Sequence, residues 1–233
     1  MIIPKFIGHR GWTGYQIIPE NTPSAVEFAH RHGLKAVHFD VQMTMDKKFV
    51  IYGRNLLETA TDGKGFVFNN IYDKIIKMRL NYILCNKEYM VCSLDEMMQR
   101  VNDLNMFANI QIKTYSDRPE YSYDSLYLLV RHMLKNYSHR MPKILFSTFN
   151  PTIIRLLDDF RTEHGINYAP IDYFPLSGII PSALIYNLTF VDPSKLYHFK
   201  EMKYPIILHN IINKSQSDRL FKLGINSVII DRI

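Results

Sequence analysis

Along the chain, short runs that are apolar throughout or alternate apolar with polar positions take turns with longer runs of helical period. The short runs at 5–8, 36–43, 107–113, 144–149, 167–171, 188–191, 206–211 and 227–230 read as strands. Apolar residues at a 3.6-residue spacing over 24–32, 122–135, 151–163, 193–202 and 215–223 read as helices, with Gly33 and Gly165 placed to close two of them. Strands alternating with helices favour parallel pairing, and eight of them in 233 residues favour a TIM (β/α)8 barrel of the α/β class over an open doubly wound sheet. The rhythm breaks across 56–105, which opens on the turn Asp62-Gly63-Lys64-Gly65 and reads as a subdomain inserted after the second strand of a single domain spanning 1–233. The chain stops at Ile233, directly after the eighth strand, so the closing helix of such a barrel is expected to be missing.

Composition narrows the class. With 47% hydrophobic residues and only 10 Gly, the chain can bury a sizeable core, which excludes disordered and collagenous classes. Its two cysteines, Cys85 and Cys92, lack ligand spacing such as C-x-x-C, so they read as buried thiols of a reduced, cytoplasmic compartment rather than as a disulfide framework. No run approaches the ~18 apolar residues of a membrane span, and the start MIIPKFIGHRG has no signal-peptide pattern. The net charge of +6 is scattered, without a basic run interleaved with aromatics, so a small anionic ligand fits better than a nucleic acid.

A barrel of this kind builds its site from the C-terminal strand ends and the loops that follow them. That criterion collects His9 and Arg10 after the first strand, His38 and Asp40 on the second, Gln111 and Lys113 on the third and Ser147 on the fourth. Members of each pair on the second and third strands are two apart and share a face. A lysine inside a barrel strand needs a partner or a ligand, so Lys113 is expected to face one. Ser147 reads as a small barrel-filling residue, because no G-x-S-x-G pattern surrounds it.

The runs GHRG at 8–11, PENT at 19–22, FDVQMTMD at 39–46 and TDGKG at 61–65 resemble the glycerophosphodiester phosphodiesterase family. The likeness continues in order through SLDEM at 93–97, QIKT at 111–114, FSTFNP at 146–151 and GINSVIIDR at 224–232. It implies a TIM barrel with a small insertion, and hydrolysis of glycerophosphodiesters to glycerol 3-phosphate and an alcohol by two histidines and a divalent cation. Carried onto this sequence, the first histidine and its arginine are His9 and Arg10, the glutamate of PENT is Glu20, in a supporting place, the lysine of the third strand is Lys113, and Asp231 falls where the family supports the barrel mouth. At His209 and Asn210 the family often carries an aromatic residue and a threonine.

Several positions depart from that pattern. Where the family has Glu-x-Asp on the second strand this chain has His38 and Asp40, and the third metal carboxylate is Gln111. The family's second histidine and the aspartate after it fall on Gly53 and Arg54. Displacing an alkoxide from a phosphodiester needs a base and an acid, each typically worth about 10²–10⁴ in rate, and Gly53 supplies neither. Hard cations want charged oxygen ligands, of which Asp40 alone remains. The expected protein is therefore catalytically degenerate, with Arg10, Lys113 and Arg54 holding a small phosphorylated ligand directly. The expected cofactor is none, or a weakly held Ca²⁺, Mg²⁺, Mn²⁺ or Zn²⁺ at His38, Asp40 and Gln111. Two alternatives stay open: an active metal-dependent phosphodiesterase using His9 plus His38, and a non-catalytic interaction protein.

Overall fold

The computed structural model describes residues 1–13, 18–82, 87–115, 117–173, 178–192, 198–211 and 213–231. Local signals in the sequence start and stop its helices. Thr22 caps α1 (Pro23–Arg31) by accepting from the Ala25 amide, with Pro23 in the first turn, where its missing N–H costs nothing. Ser93 and Glu96 form a reciprocal capping box on α3 (Leu94–Asp103). Asn150 and Pro151 open α5 (Pro151–His164), and Gly165, at φ 65°, closes it. The remaining helices are the short α2 (Tyr72–Ile75), α4 (Pro119–Tyr137) and α6 (Lys214–Lys222).

The strands are β1 (Phe6–Gly8), β2 (Ala36–Met43), β3 (Phe49–Ile51), β4 (Phe107–Ile112), β5 (Ile144–Thr148), β6 (Tyr168–Pro170), β7 (Leu184–Asn187), β8 (Ile206–Ile211) and β9 (Ser227–Ile230). All but β3 pair in parallel in the order β6-β5-β4-β2-β1-β9-β8-β7, and a parallel bridge between Ile171 and Ile185 joins the two ends. That closure makes the (β/α)8 barrel expected from the alternation of elements. Every residue of β2 is buried, because one face of the strand looks into the barrel and the other is covered by helices.

Side chains divide by period two. Val37, Phe39 and Val41 of β2 join Ile110, Phe146, Leu208 and Val228 in the core beneath the helices. Ala36, Phe107, Leu145, Ala169, Ile185, Ile207 and Ile229 fill the floor of the barrel. Two and four residues further along, the same inward rows turn polar: His38 and Asp40 follow Ala36, Asn109 and Gln111 follow Phe107, and Ser147 follows Leu145. An apolar floor below a polar mouth is the framework on which the site is built.

Four expectations need correction or completion. The seventh barrel strand is Leu184–Asn187, not 188–191. Asn187 ends it by accepting from the Thr189 amide through its side chain and from the Phe190 amide through its carbonyl, which turns the apolar run that follows into a loop. β3, unforeseen, lies antiparallel on β2 through a turn in which Lys47 takes φ 60° and Thr44 donates to Asp46. Within 56–105, the last ordered stretch is α3, which packs on α1 in the outer layer. Of the helix expected over 193–202, residues 193–197 lie outside the described residues and His198–Glu201 form a single 3-10 turn. Cys85 and the chain beyond 231 also lie outside the described residues, whereas Cys92 is buried. Among the described residues no helix is long and apolar enough to cross a membrane.

A candidate ligand site at the barrel mouth

Chain turns after β1 deliver the first group. Arg10 sits at φ 51° and Asn21 at φ 59°, and the Asn21 amide donates to the Arg10 carbonyl at 2.8 Å, so the two backbone kinks brace each other. From this turn the Arg10 guanidinium reaches inward. Nη1 donates to both Glu20 oxygens at 2.8 and 2.9 Å, and Nε lies 3.0 Å from Asp40 Oδ2. That last contact is a charge contact off the hydrogen-bond direction, since Nε has no hydrogen-bond partner by geometry. Asn21 clasps Asp40 from the other side, donating from Nδ2 to Oδ2 at 3.0 Å and accepting the Asp40 amide at 3.1 Å. Arg54, brought over by the loop after β3, adds an ion pair to Glu20 Oε1 at 3.0 Å.

Asp40 is 1% exposed. Burial opposes its charge, but His38, Arg10, the Asn21 hydrogen bond and Lys113 together outweigh that and hold its pKa below the usual carboxylate range. With His38 itself neutral, Arg10 is the charge that counts. Burial is also the main reason that the pKa of His38 falls to about 3, despite the pull of Asp40. Its two nitrogens are engaged accordingly: Nδ1 faces the Arg10 amide at 3.4 Å and Nε2 bonds Gln111 Oε1 at 3.0 Å, so Nε2 carries the proton.

A linkage prediction follows. A histidine whose folded pKa is depressed binds fewer protons folded than unfolded, so its stabilising contribution is complete above its unfolded pKa of ~6.5 and is lost as pH falls towards 3. Thermal melts from pH 7 to pH 4 should show stability falling by up to about 1.4 kcal/mol per pH unit from this group. His38→Gln should flatten that slope. An unchanged slope in the variant would mean that His38 is already charged in the folded protein.

Lys113 follows β4 and is half-buried beside Asp40, and among the described residues no carboxylate lies within ion-pair distance of its ammonium. Gly53 occupies the position of the expected second histidine. A Cβ there would sit 2.6 Å from Asp40 Oδ2, 2.9 Å from Asn21 Nδ2 and 3.2 Å from Arg10 Cζ. The bare glycine is thus what lets the guanidinium close on Asp40. Gln42, fully buried, donates to the carbonyls of Tyr52 and Arg54 and accepts from the Tyr115 hydroxyl, which fixes the loop carrying Gly53 and Arg54.

A hard divalent cation does not fit this donor set. Asp40 and Glu20 are committed to arginines, Gln111 bonds His38, and among the described residues no group of three or more His, Cys, Asp or Glu could hold a metal ion.

Across the mouth, His9 Nδ1 bonds Asp231 Oδ1 at 2.6 Å. Both line a cavity of about 250 Å³ with Asn187, His209, Asn210 and Ile229. Sequence reasoning found the side built from Arg10, Glu20, Asp40, Gln111 and Lys113. It missed Asn21, which stands beside Glu20 in the PENT run, and it gave His209 no role, because a lone histidine near a strand end carries no signal without its neighbours.

Known proteins resemble this chain in both sequence and shape. The sequence model of the Glycerophosphoryl diester phosphodiesterase family matches residues 9–169. A glycerophosphodiester phosphodiesterase of Bacillus altitudinis is 26% identical over 240 residues, covering 97% of this chain and 94% of that protein. One of Caldanaerobacter subterraneus is 29% identical over 110 residues, 46% of this chain and 44% of its own. With several curated relatives the match spans less than two thirds of their length. Among solved structures, an Oleispira antarctica phosphodiesterase in complex with the product sn-glycerol-3-phosphate superposes with TM-score 0.82 at 21% identity over 98% of this chain and 93% of that one. A glycerophosphodiester phosphodiesterase of Parabacteroides distasonis gives 0.80 at 19% identity, over 97% and 92%. At those identities the structural likeness is one of fold.

Proposed function

The chain belongs to the glycerophosphoryl diester phosphodiesterase family, and from that premise we propose that its barrel mouth binds a phosphorylated small molecule, a glycerophosphodiester or its phosphate-bearing product, without a divalent cation and without metal-assisted hydrolysis. The observation that carries this reading is the seating of Arg10 on buried Asp40, with Gly53 leaving the room. A fixed guanidinium stands where positive charge is needed, and Glu20, the other carboxylate at that guanidinium, is already paired with Arg10 and Arg54.

Charge supports an anionic ligand. On this side of the mouth Arg10, Arg54 and Lys113 face Glu20 and Asp40 while His38 is neutral, which leaves an excess of one positive charge, the complement of a phosphodiester monoanion. Lys113 is the cation with no carboxylate of its own, and Arg10 keeps Nη2 clear of hydrogen bonds to described residues. Glu20 stays where it can hold both arginines in place.

The alternative in which His38 replaces the lost histidine finds little support. Both ring nitrogens are engaged, and a base with pKa about 3 is a poor proton acceptor at neutral pH. Calorimetric titration with glycerol 3-phosphate in the presence and absence of a chelator tests the proposal, with binding expected in both.

A further inference from the structure

The insertion after β2 places a group of rings between the two loops that carry Arg54 and Lys113. At the single 3-10 turn Val67–Asn69, Val67 enters the insertion's own core with Tyr52, Leu57 and Ile75. Its neighbours Phe66 and Phe68 are half-buried and stack on each other, with ring centroids 4.9 Å apart and planes 15° from parallel. Both meet the Tyr115 ring edge to face, at 6.0 and 4.8 Å. Tyr115 continues the inward row of Gln111 and Lys113 past the end of β4, and its hydroxyl donates to Gln42, which continues the row of His38 and Asp40. On the other side, Phe66 bridges to Leu56, two residues after Arg54, and the Leu57 amide donates to the Gly65 carbonyl. The rings therefore form a wall that begins beside Lys113 and ends beside Arg54. An apolar, aromatic wall next to a few placed charges is the usual make-up of a small-molecule pocket. The Arg118 guanidinium lies 4.4 Å from the centroid of the Phe68 ring, so the place that a quaternary ammonium would seek on this wall is already taken by a cation.

We propose that Phe66, Phe68 and Tyr115 form the subsite for the alcohol half of a phosphodiester, and that Arg118 selects its chemistry: an alcohol bearing a flat apolar or aromatic group is accepted, and one bearing a quaternary ammonium is not. The proposal rests on the reading that Arg10, Arg54 and Lys113 hold the phosphate. A phosphate between Arg54 and Lys113 that turns one ester oxygen towards Tyr115 lays the substituent of that oxygen against the rings. Burial of a phenyl group there adds about tenfold or more to affinity. A positive charge arriving at the same rings meets the like charge of Arg118 and gains nothing from them.

The test uses the methyl, phenyl and choline esters of glycerol 3-phosphate, which share one monoanionic phosphate, titrated calorimetrically into the full chain in EDTA. The phenyl ester is expected to bind about tenfold or more tighter than the methyl ester, and the choline ester no tighter than the methyl ester. With Phe66→Ala and Phe68→Ala in one chain, the preference for phenyl over methyl should fall to about twofold or less. Arg118→Gln, an exposed substitution that stays readable if the double variant folds poorly, should raise the affinity of the choline ester relative to the methyl ester by about twofold or more. Equal binding of the phenyl and methyl esters, a phenyl preference that survives the loss of both rings, or a choline ester that binds the wild type best or gains nothing in Arg118→Gln would overturn the proposal and leave the reading beneath it standing. Binding of none of the three esters, nor of glycerol 3-phosphate, would sink that reading itself.

Discussion

Replacing Arg10 with methionine is expected to destabilise the fold by about 3–5 kcal/mol, the usual cost of removing one partner from a buried ion pair. Asp40, 1% exposed, would be left with Asn21, the neutral His38 and the half-buried Lys113, and Glu20 would keep Arg54. At roughly 2–4 °C per kcal/mol for a chain of this size, the melting temperature should drop by about 6–20 °C. Adding Asp40→Asn to the same chain removes the stranded charge and should recover a good part of the loss. The coupling between the two positions should exceed ~0.5 kcal/mol in a double-mutant cycle. A single-variant loss under about 1 kcal/mol would show that the guanidinium does not neutralise Asp40.

Restoring the family's histidine at the vacated position should harm the protein rather than revive it. In Gly53→His the Cβ alone would press on Asp40 Oδ2 at 2.6 Å and on Asn21 Nδ2 at 2.9 Å, atoms fixed by hydrogen bonds and an ion pair. Overpacking of this kind costs about 1–3 kcal/mol. Gly53→Ala, which adds only the Cβ, should lose a comparable amount, and neither variant should gain calcium-dependent hydrolysis of glycerophosphocholine. A Gly53→His protein as stable as the wild type and active with calcium would show that the surrounding network still has the family's original shape.

Much of this architecture could be read from the chain itself. Alternation of elements announced a parallel barrel, and helix starts such as Thr22-Pro23 and Asn150-Pro151 carry their own capping chemistry. β7 was misplaced because the Leu188–Val191 run looks as apolar as the true strand, and only the Asn187 turn separates them. β3 is three residues long and owes its existence to pairing with β2, which no local pattern encodes. In the site, the spacing of His38 and Asp40 placed them on one inward face. Their protonation did not follow from spacing: a histidine beside an aspartate suggests a cation or a base, whereas full burial and bonds to Gln111 and the Arg10 amide make it a neutral spacer. The partnership of Gly53 with Arg10 was out of reach for the same reason, since a missing side chain shows its purpose only when the atoms around the gap are known. His209 entered the mouth through a bulge, and bulges break the period-two rule on which inward and outward assignments depend.

Whether fixed arginine and lysine charges have taken over the work of a cation is most directly tested by isothermal titration of glycerol 3-phosphate into metal-free protein, first in EDTA and then with added calcium. The expected result is saturable binding with the same dissociation constant in both, weakened about tenfold or more when Lys113 is replaced by methionine. Affinity that disappears in EDTA and returns with calcium would contradict a cation-free site, and no binding under either condition would leave the barrel mouth without a phosphorylated ligand.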